Sequence, residues 1–394
     1  MLDGDDFLSI QIYLRPSDIH LTLCVCFMSS IDVPASSFCE AVALNRFCRD
    51  LLTALGTPEG HAEIVANSLV EANLRGVDSH GVQMLVTYIQ QIRAGGVAVE
   101  ANGHVESEDG VCLRYNGDNG LGQVVADRCT DHSIRIAKAL GVSVVVANHS
   151  NHFGTGAGWG QKLARAGLIG IVMSNACPAV APWQGKTAIF GTNPFCVAVP
   201  GNGRKSHWVL DMATTTVALG KLINAVHRGE KTIPLAWGFL DSSGNPTTDP
   251  LEAQKGNPTP IGGHKGTGLA MMVEILCAGL SGGEMTTQLP TFRTGRDPIG
   301  VSHTFIALDP TRFLPAGEFE TRMDTLGALV RASEPATGYD EVLLAGEPEW
   351  RNKQSRQRDG IPLPAQLWTQ LTTIADELAI IPPSLETRST PLSA

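Results

Sequence analysis

Three short stretches of this chain place side chains that can transfer protons or bind anions among glycines. They are Ser79 and His80 before Gly81, His152 within Asn-His-Phe-Gly-Thr-Gly-Ala-Gly (151–158), and Lys265 within Gly-Gly-His-Lys-Gly (262–266). Histidine titrates near neutral pH, so it can accept or release a proton there. A lysine among glycines suits a phosphate group, which the backbone can approach closely. Together these sites predict an enzyme with a small substrate and a phosphate-bearing cofactor.

The composition of the 394 residues argues against several other classes of function. A net charge of −10 is unlike that of nucleic-acid-binding proteins, which need a basic surface, and offers no basic patch to a membrane. No apolar run reaches the roughly 18 residues of a membrane helix. Positions 3–18 are rich in aspartate, whereas a secretory signal starts with basic residues. We therefore expect a cytoplasmic protein without nucleic-acid or membrane partners.

The cysteines do not indicate a metal centre. There are nine of them, most lie in apolar runs, and no Cys-x-x-Cys occurs. This pattern is typical of reduced, buried thiols. We expect no metal site.

Apolar spacing predicts the elements that position these residues. Helical spacing occurs early, over 38–55, 57–75 and 80–94, and again later, over 122–140, 266–280, 317–332 and 364–380. Residues 142–147 and 168–173 are continuous apolar runs, as in buried strands. The charged run 351–359 predicts a solvated helix face.

A nucleotide-binding Rossmann unit is not expected. That unit needs Gly-x-Gly-x-x-Gly between a strand and a helix. The glycines at 154, 156, 158 and 160 only alternate, and the stretch 117–122 does not fit either. The residues alone therefore do not indicate a Rossmann fold.

Seven ordered blocks of the sequence nevertheless match one family. The chain resembles the malate/L-lactate dehydrogenase family that lacks a Rossmann fold and includes ureidoglycolate dehydrogenase, diketogulonate reductase and ketimine reductase relatives. The resemblance runs from about residue 38 to about residue 381. The blocks are Arg-Gly-Val-Asp-Ser-His-Gly (75–81), Asn-His-Phe-Gly (151–154), Gly-Thr-Asn-Pro (191–194), Asp-Met-Ala-Thr-Thr (211–215), Pro-Thr-Thr-Asp-Pro (246–250), Gly-Gly-His-Lys-Gly (262–266) and Ala-Gly-Glu-Pro-Glu (345–349).

The resemblance implies a mixed α/β fold. A large, mostly antiparallel sheet with flanking helices would form the cofactor domain, and N- and C-terminal segments would combine into a helical domain. We expect residues 1–36 to be a variable extension and 37–100 a helical segment packing with 335–385. Residues 101–334 would form the cofactor- and substrate-binding core, and 386–394 a tail. The family also implies a homodimer.

The implied reaction is hydride transfer between NAD or NADP and the alpha carbon of a small 2-hydroxy/2-oxo acid or 2-imino acid. His80 matches the family's catalytic histidine, and Ser79 can hold its ring or the substrate oxygen. His152 matches the proton acceptor of ureidoglycolate dehydrogenase-like members. Asp211 ends an apolar run, and three roles stay open for it: orienting an imidazole, contacting the cofactor ribose, or capping a helix.

The remaining expected site residues follow from the same resemblance. Lys265 and Gly266 match a cofactor-binding Lys-Gly pair, and Gly346 and Glu347 match a cofactor-contacting turn. The other positions expected to line the cofactor or substrate pocket are Ser174, Asn175, Met212, Thr192 and Asn193.

One position departs from the family pattern. Most members carry an arginine four residues after the catalytic histidine, where it pairs with the substrate carboxylate, but this chain has Met84. A methionine cannot form that ion pair. Either Arg75 or Lys221 supplies the charge, or the substrate differs, or the chain is a catalytically impaired homologue that keeps the dimeric nucleotide-binding fold.

Overall fold

The structure is a computed structural model that describes residues 37–201, 208–290 and 296–387. The expected extension 1–36 and residues 388–394 of the expected tail lie outside the described residues. The helices of the described part are α1 (Ala41–Ala54), α2 (Glu59–Leu74), α3 (Gln83–Ala94), α4 (Gly122–Leu140), α5 (Gly156–Arg165), α6 (Leu219–His227), α7 (Pro250–Lys255), α8 (His264–Glu274), α9 (Glu318–Arg331), α10 (Glu347–Asp359) and α11 (Ala365–Glu377). The strands are β1 (Ser37–Cys39), β2 (His104–Asp109), β3 (Cys112–Asn116), β4 (Val142–Ser150), β5 (Ile169–Ser174), β6 (Phe195–Ala198), β7 (Val209–Met212), β8 (Val301–Leu308), β9 (Ile361–Leu363) and β10 (Glu386–Thr387).

The large sheet has the strand order β2-β3-β4-β8-β5-β6-β7. Only β3 and β4 pair in parallel among its described strands, and every other neighbouring pair is antiparallel. The expected mostly antiparallel, non-Rossmann fold is confirmed. The apolar runs in β4 and β5 are continuous because both strands lie inside the sheet and are largely covered.

Helices α4 and α5 cover the sheet through a common apolar core that includes Val125, Leu163 and Phe305. Glycine makes the close approach of α5 to β6 possible. A Cβ at Gly156 would lie 2.9 Å from Cys196 Cβ, and one at Gly160 would lie 2.9 Å from Cys196 Sγ. These glycines therefore serve helix-to-sheet packing.

A second core joins both ends of the chain. It combines buried side chains of α1, α2 and α3, such as Leu51 and Leu69, with Ile361 of β9 and Leu371 of α11. Burying one leucine side chain contributes about 1.5–3 kcal/mol, so this core ties the N- and C-terminal segments together. The expected division into 37–100 with 335–385 and 101–334 stays a prediction.

The first helix begins later than predicted. Residues 37–39 form β1, which pairs with β9 and β10, and α1 starts at Ala41. The Glu40 carboxylate accepts the N–H groups of Val42 and Ala43 and so caps the helix start. The prediction of a helix from residue 38 was wrong because the apolar residues at 38 and 39 belong to a strand.

The charged run 351–359 lies in α10, but its expected role as a solvated face was only partly right. Lys353 pairs with Glu71 of α2 at 2.7 Å. Arg356 forms a two-pronged ion pair with Asp78 at 2.6 and 3.0 Å. Two basic side chains that the sequence predicted to face solvent therefore form ion pairs that join α10 to the N-terminal segment.

No helix within the described residues is both long and apolar enough to cross a membrane.

Candidate functional site

His80 lies on a rigid turn. The sequence predicted that it opens a helix, but Asp78–His80 form a 3-10 turn and α3 begins only at Gln83. Asn73 holds this turn from both sides, because its Nδ2 donates to Asp78 and its Oδ1 accepts the N–H of Val82. A Cβ at residue 81 would come within 2.2 Å of Asn73 Oδ1, so only glycine fits there.

The hydroxyl of Ser79 lies 2.9 Å from His80 Nδ1. This bond leaves Nε2 as the ring nitrogen that can exchange a proton with a ligand. Burial lowers the pKa of His80 below its usual 6.5, so the imidazole is neutral at neutral pH and able to accept a proton.

His152 follows the end of β4, and its ring centre lies 5.5 Å from that of His80. Its Nδ1 is 2.6 Å from the hydroxyl of Tyr88 on α3. Burial, then repulsion from His80 and His303, lowers the pKa of His152 to about 3. The structure thus brings together the two histidines that the sequence placed in separate glycine-rich stretches.

Tyr88 and Gln123 were missed by the sequence reasoning. Gln123, on α4, donates to the Tyr88 hydroxyl at 2.9 Å. The sequence held one signal for Tyr88, which is a tyrosine on the apolar face of α3. A buried tyrosine hydroxyl needs a hydrogen-bond partner, so a polar side chain could be expected nearby. The identity of that partner depends on contacts 35 and 64 residues away, which spacing does not show.

Asp211 lies on β7 and accepts the N–H of Ala157, in the first turn of α5, at 2.8 Å. The surrounding protein raises the pKa of Asp211 to about 6 through desolvation, although the Ala157 bond and the charge of Arg75 oppose this. The residue as a whole is nevertheless exposed. Met212 beside it is half-buried.

Arg75 is buried at the end of α2, with 6% of its surface exposed. Its Nε has no hydrogen-bond partner among the described residues. Its charge acts on Asp211 and on Cys196. A buried guanidinium with an unused donor is suited to a carboxylate or phosphate ligand.

The expected pocket residues around Asn175 and Asn193 meet one buried carboxylate, Glu274 of α8. Asn193 donates to Glu274 at 3.0 Å and is fully buried. Asn175 donates to it at 3.3 Å, and the Ser174 hydroxyl donates to Asn175 O. Thr192 O accepts the N–H and the hydroxyl of Thr214. These side chains shape the loops, and their expected contacts with a ligand stay predictions.

Lys265 is exposed in the first turn of α8, after Gly262 and Gly263, whose φ angles of 60° and 63° suit glycine. A Cβ at Gly266 would lie 2.3 Å from Ile261 O, so this glycine permits a tight turn. The exposed ring of Trp183 packs 5.4 Å from that of His264. The side chain of Lys265 thus stands at a positive helix end with an aromatic surface nearby.

Gly346 and Glu347 begin α10. Gly346 has a φ of 89°, and a Cβ there would lie 3.1 Å from Val209 O in β7. Glu347 pairs with Arg331 and accepts the N–H of Leu344. The turn is therefore fixed against the strand that carries Asp211, and its expected cofactor contact stays a prediction.

Met84 is half-buried and packs against the helical core. Lys221, the other candidate cation, is exposed on α6. Its neighbour Gly220 is close to the turn that carries Ser79 and His80, because a Cβ at Gly220 would lie 3.3 Å from Ser79 Cβ. Within the described ranges, no group of three or more His, Cys, Asp or Glu side chains is arranged to hold a metal ion.

The site brings together two imidazoles with lowered pKa values and the hydroxyl of Ser79, while Asp211, whose pKa is raised, is acted on by the buried guanidinium of Arg75. These groups can accept a proton at one point and donate hydrogen bonds to an oxygen at another.

Comparisons with known proteins show the family to which the chain belongs. The family model described as malate/L-lactate dehydrogenase matches residues 39–372. The L-sulfolactate dehydrogenase of Methanocaldococcus jannaschii is 37% identical over 331 residues, which cover 84% of this chain and 94% of that protein. The solved malate dehydrogenase of Pyrococcus horikoshii has a TM-score of 0.81 at 33% identity, covering 91% of this chain and 100% of that one.

A third relative differs in the chemistry that its name states. The structure of delta1-piperideine-2-carboxylate reductase from Pseudomonas syringae has a TM-score of 0.75 at 26% identity and covers 86% of this chain and 99% of that one. The resemblance that rested on seven sequence blocks is confirmed, and the chain belongs to the malate/L-lactate dehydrogenase family.

Proposed function

We propose that this protein is an NAD- or NADP-dependent oxidoreductase that interconverts a small 2-hydroxy acid and its 2-oxo acid, or acts on a 2-imino acid. The observation that carries the proposal is the pairing of His80 and His152, whose ring centres lie 5.5 Å apart. The names of the relatives support this class, since they include malate and sulfolactate dehydrogenases and a piperideine carboxylate reductase.

The chain's own residues account for the proton in this reaction. The nicotinamide, when bound, accepts or supplies the hydride at the substrate's alpha carbon. In the oxidation, His80 takes the hydroxyl proton on Nε2 while Ser79 steadies Nδ1. In the reduction, the protonated ring returns that proton to the substrate oxygen. Because burial lowers the pKa of His80, neutral pH favours its role as a base.

The surface around Lys265 fits a phosphate-bearing cofactor. Lys265 is exposed and makes no ion pair with the described residues. The first N–H groups of α8 have no side-chain cap, so they and the lysine can meet an anion together. Turnover measured with each cofactor in turn distinguishes NAD from NADP.

The substrate carboxylate needs a cation that Met84 does not provide. Arg75 is our choice, because its buried guanidinium has an unused donor and lies in the electrostatic range of Asp211. A panel of pyruvate, oxaloacetate, sulfopyruvate and piperideine-2-carboxylate, reduced with each cofactor, tests the proposal. Turnover of none of them, with cofactor bound, would favour the second candidate, an impaired homologue.

Met84→Arg introduces the arginine that the family resemblance implies four residues after His80. We expect it to raise kcat/KM for malate or lactate by roughly tenfold, the effect of one charged hydrogen bond in a partly solvated site. Thermal unfolding must be compared in parallel, because Met84 also packs against the helical core. An unchanged or lower rate in the folded variant would mean that the carboxylate is held elsewhere.

We also propose that the protein is a homodimer. The outward faces of α8 and of the helical turn that follows it are apolar, with Met271 48% and Ile275 57% exposed. Such a patch favours contact with a second copy. We expect light scattering to give twice the mass of the chain and Ile275→Glu to give the mass of one chain. A monomeric wild type would contradict this.

A further inference from the structure

The hydrogen bonds around His152 have a defined direction. Gln123 Nε2 can only donate, so the Tyr88 oxygen, 2.9 Å away, accepts. The hydroxyl proton of Tyr88 then points to the other neighbour, His152 Nδ1, at 2.6 Å. Nδ1 must accept it, and a neutral ring that accepts at Nδ1 carries its own proton on Nε2.

We propose that Tyr88 and Gln123 are positioning residues that hold His152 as a neutral imidazole with its proton on Nε2, so that His152 donates a hydrogen bond to the substrate oxygen and His80 alone exchanges the proton. This rests on the proposed function for the identity of the oxygen. It differs from the role expected for His152, that of a proton acceptor.

Protonation of His152 is opposed by the same contacts. A proton on Nδ1 would face the Tyr88 oxygen, which already receives the N–H of Gln123, and the tyrosine hydroxyl would lose its acceptor. The ionisable groups around the ring add to this. Burial lowers the pKa of His152 most, and the neighbouring His80 and His303 lower it further.

A proton relay through Tyr88 is opposed as well. If His152 gave its Nε2 proton to the substrate, Nδ1 would have to draw the proton of Tyr88 and leave a buried phenolate. Burial raises the pKa of Tyr88 well above its usual value, and the Gln123 amide that donates to its oxygen carries no charge. His152 therefore keeps its proton, and its N–H···O bond strengthens as negative charge grows on the substrate oxygen.

The atoms of the reaction balance with this division of roles. During oxidation the substrate O–H bond breaks and its proton goes to His80, while the alpha C–H bond breaks and its hydride goes to the nicotinamide. The oxygen keeps the electron pair of the O–H bond and forms the carbonyl. His152 gains and loses nothing.

The decisive variant is Gln123→Glu. A carboxylate at this position accepts a hydrogen bond from the Tyr88 hydroxyl. The Tyr88 oxygen then presents a lone pair to His152 Nδ1, so the proton of the neutral ring moves from Nε2 to Nδ1. We expect long-range nitrogen spectra of histidine-labelled protein to show an Nε2 proton on His152 in the wild type and an Nδ1 proton in the variant. His152→Asn assigns the signal by its absence. We expect kcat to fall by roughly 10²-fold, as when one oriented donor is lost.

Tyr88→Phe is the second variant and keeps the ring packing. It removes the donor to Nδ1, so we expect a mixture of the two tautomers and a fall in kcat of about tenfold with the KM of the cofactor unchanged. Tyr115→Phe is the matched control. Tyr115 is also 4% exposed, its hydroxyl donates to Asn102 O, and its ring packs against His132 rather than His152. We expect it to leave the His152 signal and kcat unchanged.

The outcomes separate this inference from the proposed function. An Nδ1 proton on His152 in the wild type, or titration of His152 near its usual pKa, would overturn the inference even in an active enzyme. A switched tautomer in Gln123→Glu with unchanged kcat would overturn the donor role. The expected tautomers without turnover of any substrate would support the positioning and count against the proposed function. If Gln123→Glu does not fold, the spectra of the wild type and of Tyr88→Phe decide.

Discussion

The histidine pair and the turn that carries Lys265 differ in burial and in the kind of interaction that they offer a ligand. Around His152, each bond fixes the direction of the next, and the nearest partners are buried and uncharged. Around Lys265, the side chain is exposed and its charge is the main feature. Buried and directed groups suit control of a proton, whereas an exposed cation suits the capture of an anion from water. The comparison predicts that the two regions fail differently when mutated.

The largest expected effect comes from His80→Ala. We expect turnover to fall by roughly 10³-fold, because the proton loses its acceptor, while the affinity for the cofactor changes little. Steady-state kinetics and fluorescence titration with the reduced nicotinamide measure the two quantities. His132→Ala, at a half-buried histidine on α4, serves as the control and should retain activity. Near-normal turnover of His80→Ala would break the comparison.

Lys265→Ala should give the opposite pattern at intermediate size. We expect the Kd of the cofactor to rise about tenfold, with kcat at saturation nearly unchanged. The difference should shrink at high salt, because exposed charges are screened. Lys255→Ala, an exposed lysine paired with Glu252, is the control. A loss of kcat with unchanged affinity would assign Lys265 to the reaction instead.

Asp211 combines features of both regions, because its pKa is raised by desolvation although the residue is exposed. It gives the smallest expected effect. Its pKa is raised to about 6, so the folded protein holds this proton more tightly than the unfolded chain does. The stabilisation is complete below the unfolded pKa, near 3.8, and is lost as the pH rises through about 6. Since Asp211 is exposed overall, solvent weakens this effect and the change should stay below about 1 kcal/mol.

Urea unfolding of the wild type and of Asp211→Asn at about pH 4 and about pH 7 measures this difference. We expect the wild type to lose stability relative to the variant between the two values. Parallel behaviour of the two proteins would place the pKa of Asp211 at its usual value and group it with exposed residues such as Lys265.

The sequence predicted the elements and the family better than the contacts between them. Periodicity depends on neighbouring residues, and it located α4, β4 and α11 closely. It misplaced the start of α1, because Phe38 and Cys39 pack in a sheet whose other strands lie more than 300 residues later. It also placed His80 in a helix, whereas the hydrogen bond that the Val82 N–H donates to Asn73 Oδ1 holds a tight turn there.

The candidate site shows the same limit. The resemblance indicated His80 and His152, yet it did not indicate that Tyr88 and Gln123 join them to one network. It offered Asn175 and Asn193 as pocket residues, and the structure shows their amides bound to Glu274, a carboxylate that the sequence presented as part of an apolar helix. Each of these contacts depends on tertiary distances that residue types alone do not contain.

The ion pair between Arg356 and Asp78 has a consequence for the protein during its synthesis. The turn that bears His80 receives its clamp from a residue 278 positions further along the chain. Most of the chain must therefore be translated before this ion pair can form and hold the turn. Nascent chains that still lack Arg356 should be inactive, so incomplete chains should not catalyse the reaction in the cell.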